Sequence, residues 1–232
     1  MTNDLTKIVL DTVSTIPEIL LYLSNDARLF VKLHSALKAV GDYTSIRAEM
    51  SGGIHDAVYD YLTGSGNVTT YRAAMALAIS QAYVAAADIG YQDAGAELPL
   101  DAETAAWARA ELDSQLAYVD DLFETLKELR KQDDVNAAAE ALRRANGYAS
   151  SLDALYAGAK MRGSENITLE FGGTDGKESC SDCKRLVGKR HKISYILAHN
   201  LIPAPGNDTF ECKGYECNHY WFNPKTGERF TA

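Results

Sequence analysis

Apolar residues recur at helical intervals through most of the first 160 positions. Leu29, Phe30, Leu33, Leu37 and Val40 keep that period between Asp26, placed to start a helix, and Gly41, placed to stop it. Ile46, Met50, Ile54, Val58, Tyr61 and Leu62 form a second stripe, which continues across Gly52 and Gly53; the two glycines therefore read as packing positions rather than a hinge. The run Gly64-Ser65-Gly66-Asn67 has turn composition. Beyond it, Tyr71, Met75, Ile79 and Tyr83 recur at every fourth position of an alanine-rich helix, whose small neighbours allow other helices to approach closely. Gly90 and the stretch from Gly95 to Pro99 predict a connection to the next element.

The strongest periodic signal is Leu112, Leu116, Val119, Phe123 and Leu126, a 4-3-4-3 spacing that places all five on one helix face. Glu111, Asp113, Asp120, Glu124 and Lys127 fall away from that face and stay wet. The pattern is too short for a sustained coiled coil, so it predicts packing inside the body rather than a supercoiled partner. A further helix is expected from about Asp133-Asp134, carrying Tyr148, Leu152, Leu155 and Tyr156, with a bend at Gly147. Neither an internal repeat nor a low-complexity segment is evident.

After Gly158 the alanine-rich pattern gives way to Gly163, Ile167-Thr168-Leu169-Glu170-Phe171 and Gly172-Gly173. This shift in composition sets a boundary near 160–165. The expected architecture is mainly α: residues 1–160 form a helical packing domain, and residues 161–232 form a small α+β module rich in cysteine. Asn223-Pro224-Lys225-Thr226-Gly227 has the composition of a hairpin turn between Tyr220-Trp221-Phe222 and Arg229-Phe230. Pro203, Pro205 and Gly206 make another turn before Phe210.

Charge sharpens this division. The formal charge is -9, but residues 180–232 hold eight Lys or Arg against five Asp or Glu. An acidic body is thereby joined to a mildly basic tail, and such a body repels nucleic acid. The opening Met1-Thr2-Asn3-Asp4 lacks the basic and apolar regions of a secretory signal, and no uninterrupted apolar run reaches membrane-spanning length. A cytoplasmic origin without a membrane partner is expected.

All four cysteines lie between positions 180 and 217. In a reducing compartment such clustering points to a metal, the competing pattern being two local disulfides. Cys180-Ser181-Asp182-Cys183 is a CxxC turn able to direct two thiolates at one ion, and Cys212 with Cys217 completes a tetrahedral set across a C-x4-C spacing that Gly214 helps to turn. Zinc is the expected ion, because it accepts four sulfurs, or three sulfurs and an imidazole, without redox chemistry. The candidate ligands are Cys180, Cys183, Cys212 and Cys217, with His219 as an alternative, since residues 217 and 219 project to one side of an extended segment. Four protein ligands close the shell, which is the mark of a structural site.

Lys184, Arg185, Lys189, Arg190 and Lys192 form a basic run suited to phosphate or an acidic partner, or simply to a solvated helix face. Tyr195 and Tyr220-Trp221-Phe222 add rings that could stack on bases or build a core around the metal. His191, His199, Asn200 and His219 sit near the cysteines, yet they form no complete nuclease constellation.

The run from Cys180 to His191, Ile202-Pro203, and the run from Phe210 through Cys212 and Cys217 to His219 together resemble the C-terminal cysteine module of tailed-bacteriophage minor head or head-morphogenesis proteins. The resemblance covers about residues 160–232. Cys180, Cys183, Cys212 and Cys217 match the family's cysteine positions, Gly188-Lys189 matches its small-basic element, and His219 stands where a further cysteine often appears. The resemblance implies a non-enzymatic structural component of a phage head or head-to-tail assembly. Its expected partners are capsid, portal or neck proteins, in a homo-oligomer or many-copy assembly, placed in the virion after assembly in the host cytoplasm. A zinc-dependent nucleic-acid-binding protein is the alternative, and a metal-dependent nuclease the third.

Overall fold

The structure, a computed structural model, describes residues 42–64, 68–132, 135–174, 179–204, 207–214 and 217–230. The helix expected over Asp26–Gly41 and most of the turn at 64–67 lie outside them. The described elements run α1 (Tyr43–Thr63), α2 (Val68–Asp93), α3 (Ala102–Gln132), α4 (Val135–Gly163), β1 (Thr168–Gly173), α5 (Ser181–Leu186), β2 (Arg190–Lys192), α6 (Ile193–Ala198) and β3 (His219–Phe222). The fold is mainly helical with a small C-terminal α+β region. The chain divides into two compact units, Met1–Ala85 with Arg109–Ala145 and Ala86–Ala108 with Asn146–Ala232.

In the first unit the helical stripes become the core. Ile46, Met50, Ile54, Val58 and Tyr61 of α1 are buried, as are Met75, Ile79 and Tyr83 of α2. The α3 seam contributes Leu112, Val119, Phe123 and Leu126, whereas Leu116 is only half-buried and Leu122 joins the core in addition. Helix α1 starts on Asp42, whose side chain accepts the Ser45 N–H at 3.0 Å. It then runs unbroken through Gly52 and Gly53, where a Cβ on Gly53 would meet Ala78 Cβ at 3.5 Å. Tyr61 packs edge-on to Phe123 at 5.6 Å and lies under the Arg130 guanidinium at 4.9 Å. Arg130 also donates to the Gly64 carbonyl, and Arg72 pairs with Asp120. Among the described residues α2 is the one helix long and apolar enough, by length and composition, to cross a membrane, and 61% of its most apolar stretch is buried inside the protein.

The second unit contains the end of α2, the start of α3, the later part of α4 and everything beyond. Gly90, expected in a connection, lies inside α2. Its role is close approach: a Cβ there would stand 2.4 Å from the Tyr156 carbonyl oxygen of α4. The real break comes at Gly95, with φ +84. Gly147 likewise lies within the continuous helix α4, with open space where a Cβ would point. Asp101 starts α3 by accepting the Thr104 N–H at 2.8 Å and the Tyr91 hydroxyl at 2.9 Å. Tyr156 donates to Asp93 at 2.6 Å.

The sheet has the order β2-β1-β3, antiparallel throughout. Leu169 pairs with His191 on one side, and Phe171 with Trp221 and Gly173 with His219 on the other. The expected C-terminal hairpin is present: Asn223 N–H reaches the Glu228 carbonyl at 2.8 Å and Phe230 N–H the Trp221 carbonyl at 2.9 Å. Leu169, Phe171, Cys183, Ile196, Phe210 and Trp221 form the centre of the core here, and Met161 of α4 belongs to the same cluster. Lys160, the residue just before Met161, pairs with Glu228 at 2.7 Å and lies 5.1 Å from the Phe230 ring. The final turns of α4 are thus packed into the cysteine region they precede.

Candidate metal centre

Three separate stretches of chain deliver the sulfurs. The first is the start of α5, where Cys180 is the residue before the helix and its Sγ accepts the Cys183 N–H at 3.4 Å. One helical turn then returns Cys183 to the same side, buried to 1% exposure. The second stretch is the turn around Cys212, with Lys213 at φ +50 and Gly214 at φ +70. Only glycine fits at 214, because a Cβ would fall 1.8 Å from the Ala204 carbonyl oxygen. The third stretch is the entry to β3, which carries Cys217 and His219.

These stretches meet in two overlapping groups of donor atoms, Cys180–Cys183–Cys212 and Cys183–Cys217–His219, each with its atoms within 4.8 Å of one another. Cys183 is common to both. Its Sγ lies 3.6 Å from that of Cys217, close to the edge of about 3.8 Å expected between sulfurs bound tetrahedrally to zinc. The Cys217 Sγ is in turn 3.5 Å from His219 Nδ1. The C-terminal region therefore holds a Cys/His cluster capable of coordinating a metal ion, and its donors are chemically suited to zinc.

The thiols do not share one environment. Burial raises the Cys183 thiol far above its ordinary value, and neighbouring Cys180 and Cys217 reinforce that rise. Burial acts the same way on Cys180, but N–H groups of Cys183 and Cys212 pointing at its sulfur outweigh it and bring the thiol below its ordinary value. Cys212 is raised, chiefly by burial, against an opposing N–H from Gly214. Several thiolates this close repel one another, and a divalent cation is what allows them to ionise together.

Other contacts hold the frame around these sulfurs. Glu211, beside Cys212, accepts both the N–H and hydroxyl of Ser181 at 3.1 and 2.8 Å, while its own N–H donates to Asp182 at 2.9 Å. This reciprocal latch ties the first cysteine stretch to the second. Asn207, buried to 8% exposure, bridges the loop: its amide donates to the Asn200 and Ile202 carbonyls, both at 2.7 Å, and its side-chain oxygen accepts the Thr209 N–H at 2.9 Å. Sequence reading did not single out Asp182, Asn207 or Glu211. A polar residue's value here depends on what lies opposite it, although an Asn between a Pro-Gly turn and a cysteine is a recognisable loop-former.

The five basic residues do not share a helix face. Lys184 and Arg185 sit on α5, Lys189 follows in the turn, and Arg190 and Lys192 lie on β2. Strand alternation turns Arg190 and Lys192 to one side of the sheet and His191 to the other. Arg185 is paired with Asp182 at 2.9 Å and Arg190 with Glu170 at 2.7 Å. His191 and His199 belong to neither donor group; they sandwich Tyr195 at 4.4 and 3.9 Å, and His199 Nδ1 lies 2.9 Å from the Tyr195 carbonyl. Tyr220, Trp221 and Phe222 divide by alternation too, with Trp221 fully buried and its indole N–H donating to the Leu201 carbonyl at 2.7 Å.

The chain matches no known protein family, no curated protein and no solved structure with which it was compared.

Proposed function

We propose that this protein is a non-catalytic assembly component whose C-terminal region is clamped by a structural zinc ion and serves as a rigid docking surface. The observation that carries this reading is the pair of overlapping donor groups, Cys180–Cys183–Cys212 and Cys183–Cys217–His219, that three chain segments bring together around buried Cys183 at the core cluster. Four thiolates fill the coordination sphere of zinc and leave no position for a substrate or a reactive water. Zinc therefore supplies folding energy here, and the ligand residues hold it: Cys180, Cys183, Cys212 and Cys217, with His219 adjoining. A core this small benefits from such a staple.

The setting we propose is the head or the portal and neck of a tailed phage, which rests on the resemblance of about residues 160–232 to minor head or head-morphogenesis proteins. The body contributes by packing against neighbouring subunits, and no chemical turnover takes part. Nucleic-acid contact is the weaker reading, because the basic residues are distributed over a helix, a turn and a strand, with two already paired to carboxylates.

Two measurements test the two parts. Elemental analysis of the purified protein should give one zinc per chain, and a metal-free protein with an intact C-terminal core would reject the structural site. Peptide mass spectrometry of purified particles, calibrated against the major capsid protein, should find the chain at a reproducible copy number. Absence from both mature particles and assembly intermediates would reject the phage setting.

A further inference from the structure

Five donors compete for four positions around a zinc ion, and the surroundings of His219 decide its part. Its ring is hemmed in by β1. It lies parallel to Phe171 in an offset stack, with centroids 5.6 Å apart and planes within 3°, and Phe171 stacks in turn on Phe210 at 6.5 Å. On the β1 side, Gly173 sits so close that a Cβ would lie 2.8 Å from His219 Cδ2. The residue is 5% exposed. This clamp leaves Nδ1 at 3.5 Å from the Cys217 sulfur, a hydrogen-bonding separation for nitrogen and sulfur.

The other sulfurs show what that contact is for. Cys180 accepts N–H groups from Cys183 and Cys212, and Cys212 accepts one from Gly214. A zinc ion with four thiolates carries a net charge of -2, which is costly in a core whose central sulfur is 1% exposed unless N–H donors offset it.

We infer that His219 is a positioning residue rather than a ligand, donating Nδ1–H to the Cys217 thiolate of a four-cysteine site as backbone amides do for Cys180 and Cys212. The inference rests on the zinc reading above. The imidazole holds the Cys217 sulfur in place and takes up part of the charge of the site.

X-ray absorption at the zinc edge on the unmodified full chain tests this directly. Four sulfurs at about 2.3 Å are expected, whereas three sulfurs plus one nitrogen at about 2.0–2.1 Å would overturn the inference while leaving the zinc site standing. Failure to bind zinc at all would overturn the zinc reading and this inference with it. In a second arm, His219→Ala and His219→Gln are titrated with zinc against a competing chelator, and their cobalt-substituted absorption is recorded. His219→Ala should bind about 10–100-fold more weakly with an unchanged four-thiolate cobalt spectrum. His219→Gln, whose amide retains an N–H, should recover part of that loss. A cobalt spectrum that changes its ligand signature on loss of His219 would overturn the inference.

Discussion

Gly173 and His219 face each other across the β1–β3 ladder, and the absence of a side chain at the glycine leaves room for the imidazole where it lies parallel to Phe171. Gly173 also adopts φ +138, a conformation that L residues rarely reach. Gly173→Ala is therefore strained both by backbone and by contact, and it should cost about 1–3 kcal/mol of stability. Urea denaturation reads the loss, and zinc affinity should fall in parallel. An alanine variant with unchanged stability and affinity would show that the ring can relocate without consequence.

Cys183 joins both donor groups, so it is the candidate ligand whose loss should do most harm. Cys183→Ser is expected to abolish stoichiometric zinc binding, and stripping the native protein with a chelator should mimic it. The readout is near-ultraviolet circular dichroism, because Trp221 packs edge-on to Phe171 at 4.9 Å in the same core cluster as Cys183. Unchanged aromatic signal after complete metal removal would mean that the core stands without the ion.

Asp101 caps α3, and its carboxyl is held below its usual value, first by the Thr104 N–H, with burial opposing and the Tyr91 hydroxyl assisting. A carboxyl depressed in the folded state contributes stability that is complete above its unfolded pKa. That contribution is lost as the pH falls through the lower, folded pKa. Asp101→Ala should cost about 1 kcal/mol at neutral pH. Asp101→Asn keeps a capping oxygen without the charge, so it should flatten the acid limb of a stability-against-pH profile. An equally steep limb in the asparagine variant would place the pH dependence elsewhere.

Lys160 is 8% exposed, whereas its partner Glu228 stays about half in water. The two ends of this ion pair should therefore respond differently. Glu228→Ala strands a buried ammonium on the Arg229 carbonyl, 3.3 Å away, and should cost about 1–3 kcal/mol. Lys160→Met removes the buried charge itself, keeps the stem against Phe230 and should cost less. The order of the two unfolding midpoints checks the asymmetry, and the reverse order would refute it.

The sequence by itself determined the parts of this protein that depend on neighbours three or four residues away. The stripe from Leu112 to Leu126 must lie along one side of a helix, whatever it meets, and four of its five members are buried. The cysteine spacing was legible for the same reason, because a CxxC turn directs both sulfurs at one point before any other part of the chain arrives. Tertiary structure alone decided what lies across from each residue. Gly90 looked like a chain break and proved to be a helix contact, because only packing reveals the Tyr156 carbonyl 2.4 Å from where its Cβ would stand. The basic run looked like one surface, but a helix, a turn and an alternating strand divide it. The plane of the His219 ring could not be read from the sequence, because it is set by Phe171 and Gly173, nearly fifty residues earlier in the chain. Local periodicity encodes which way a side chain leaves its own element, and only the meeting of distant segments sets what it finds there.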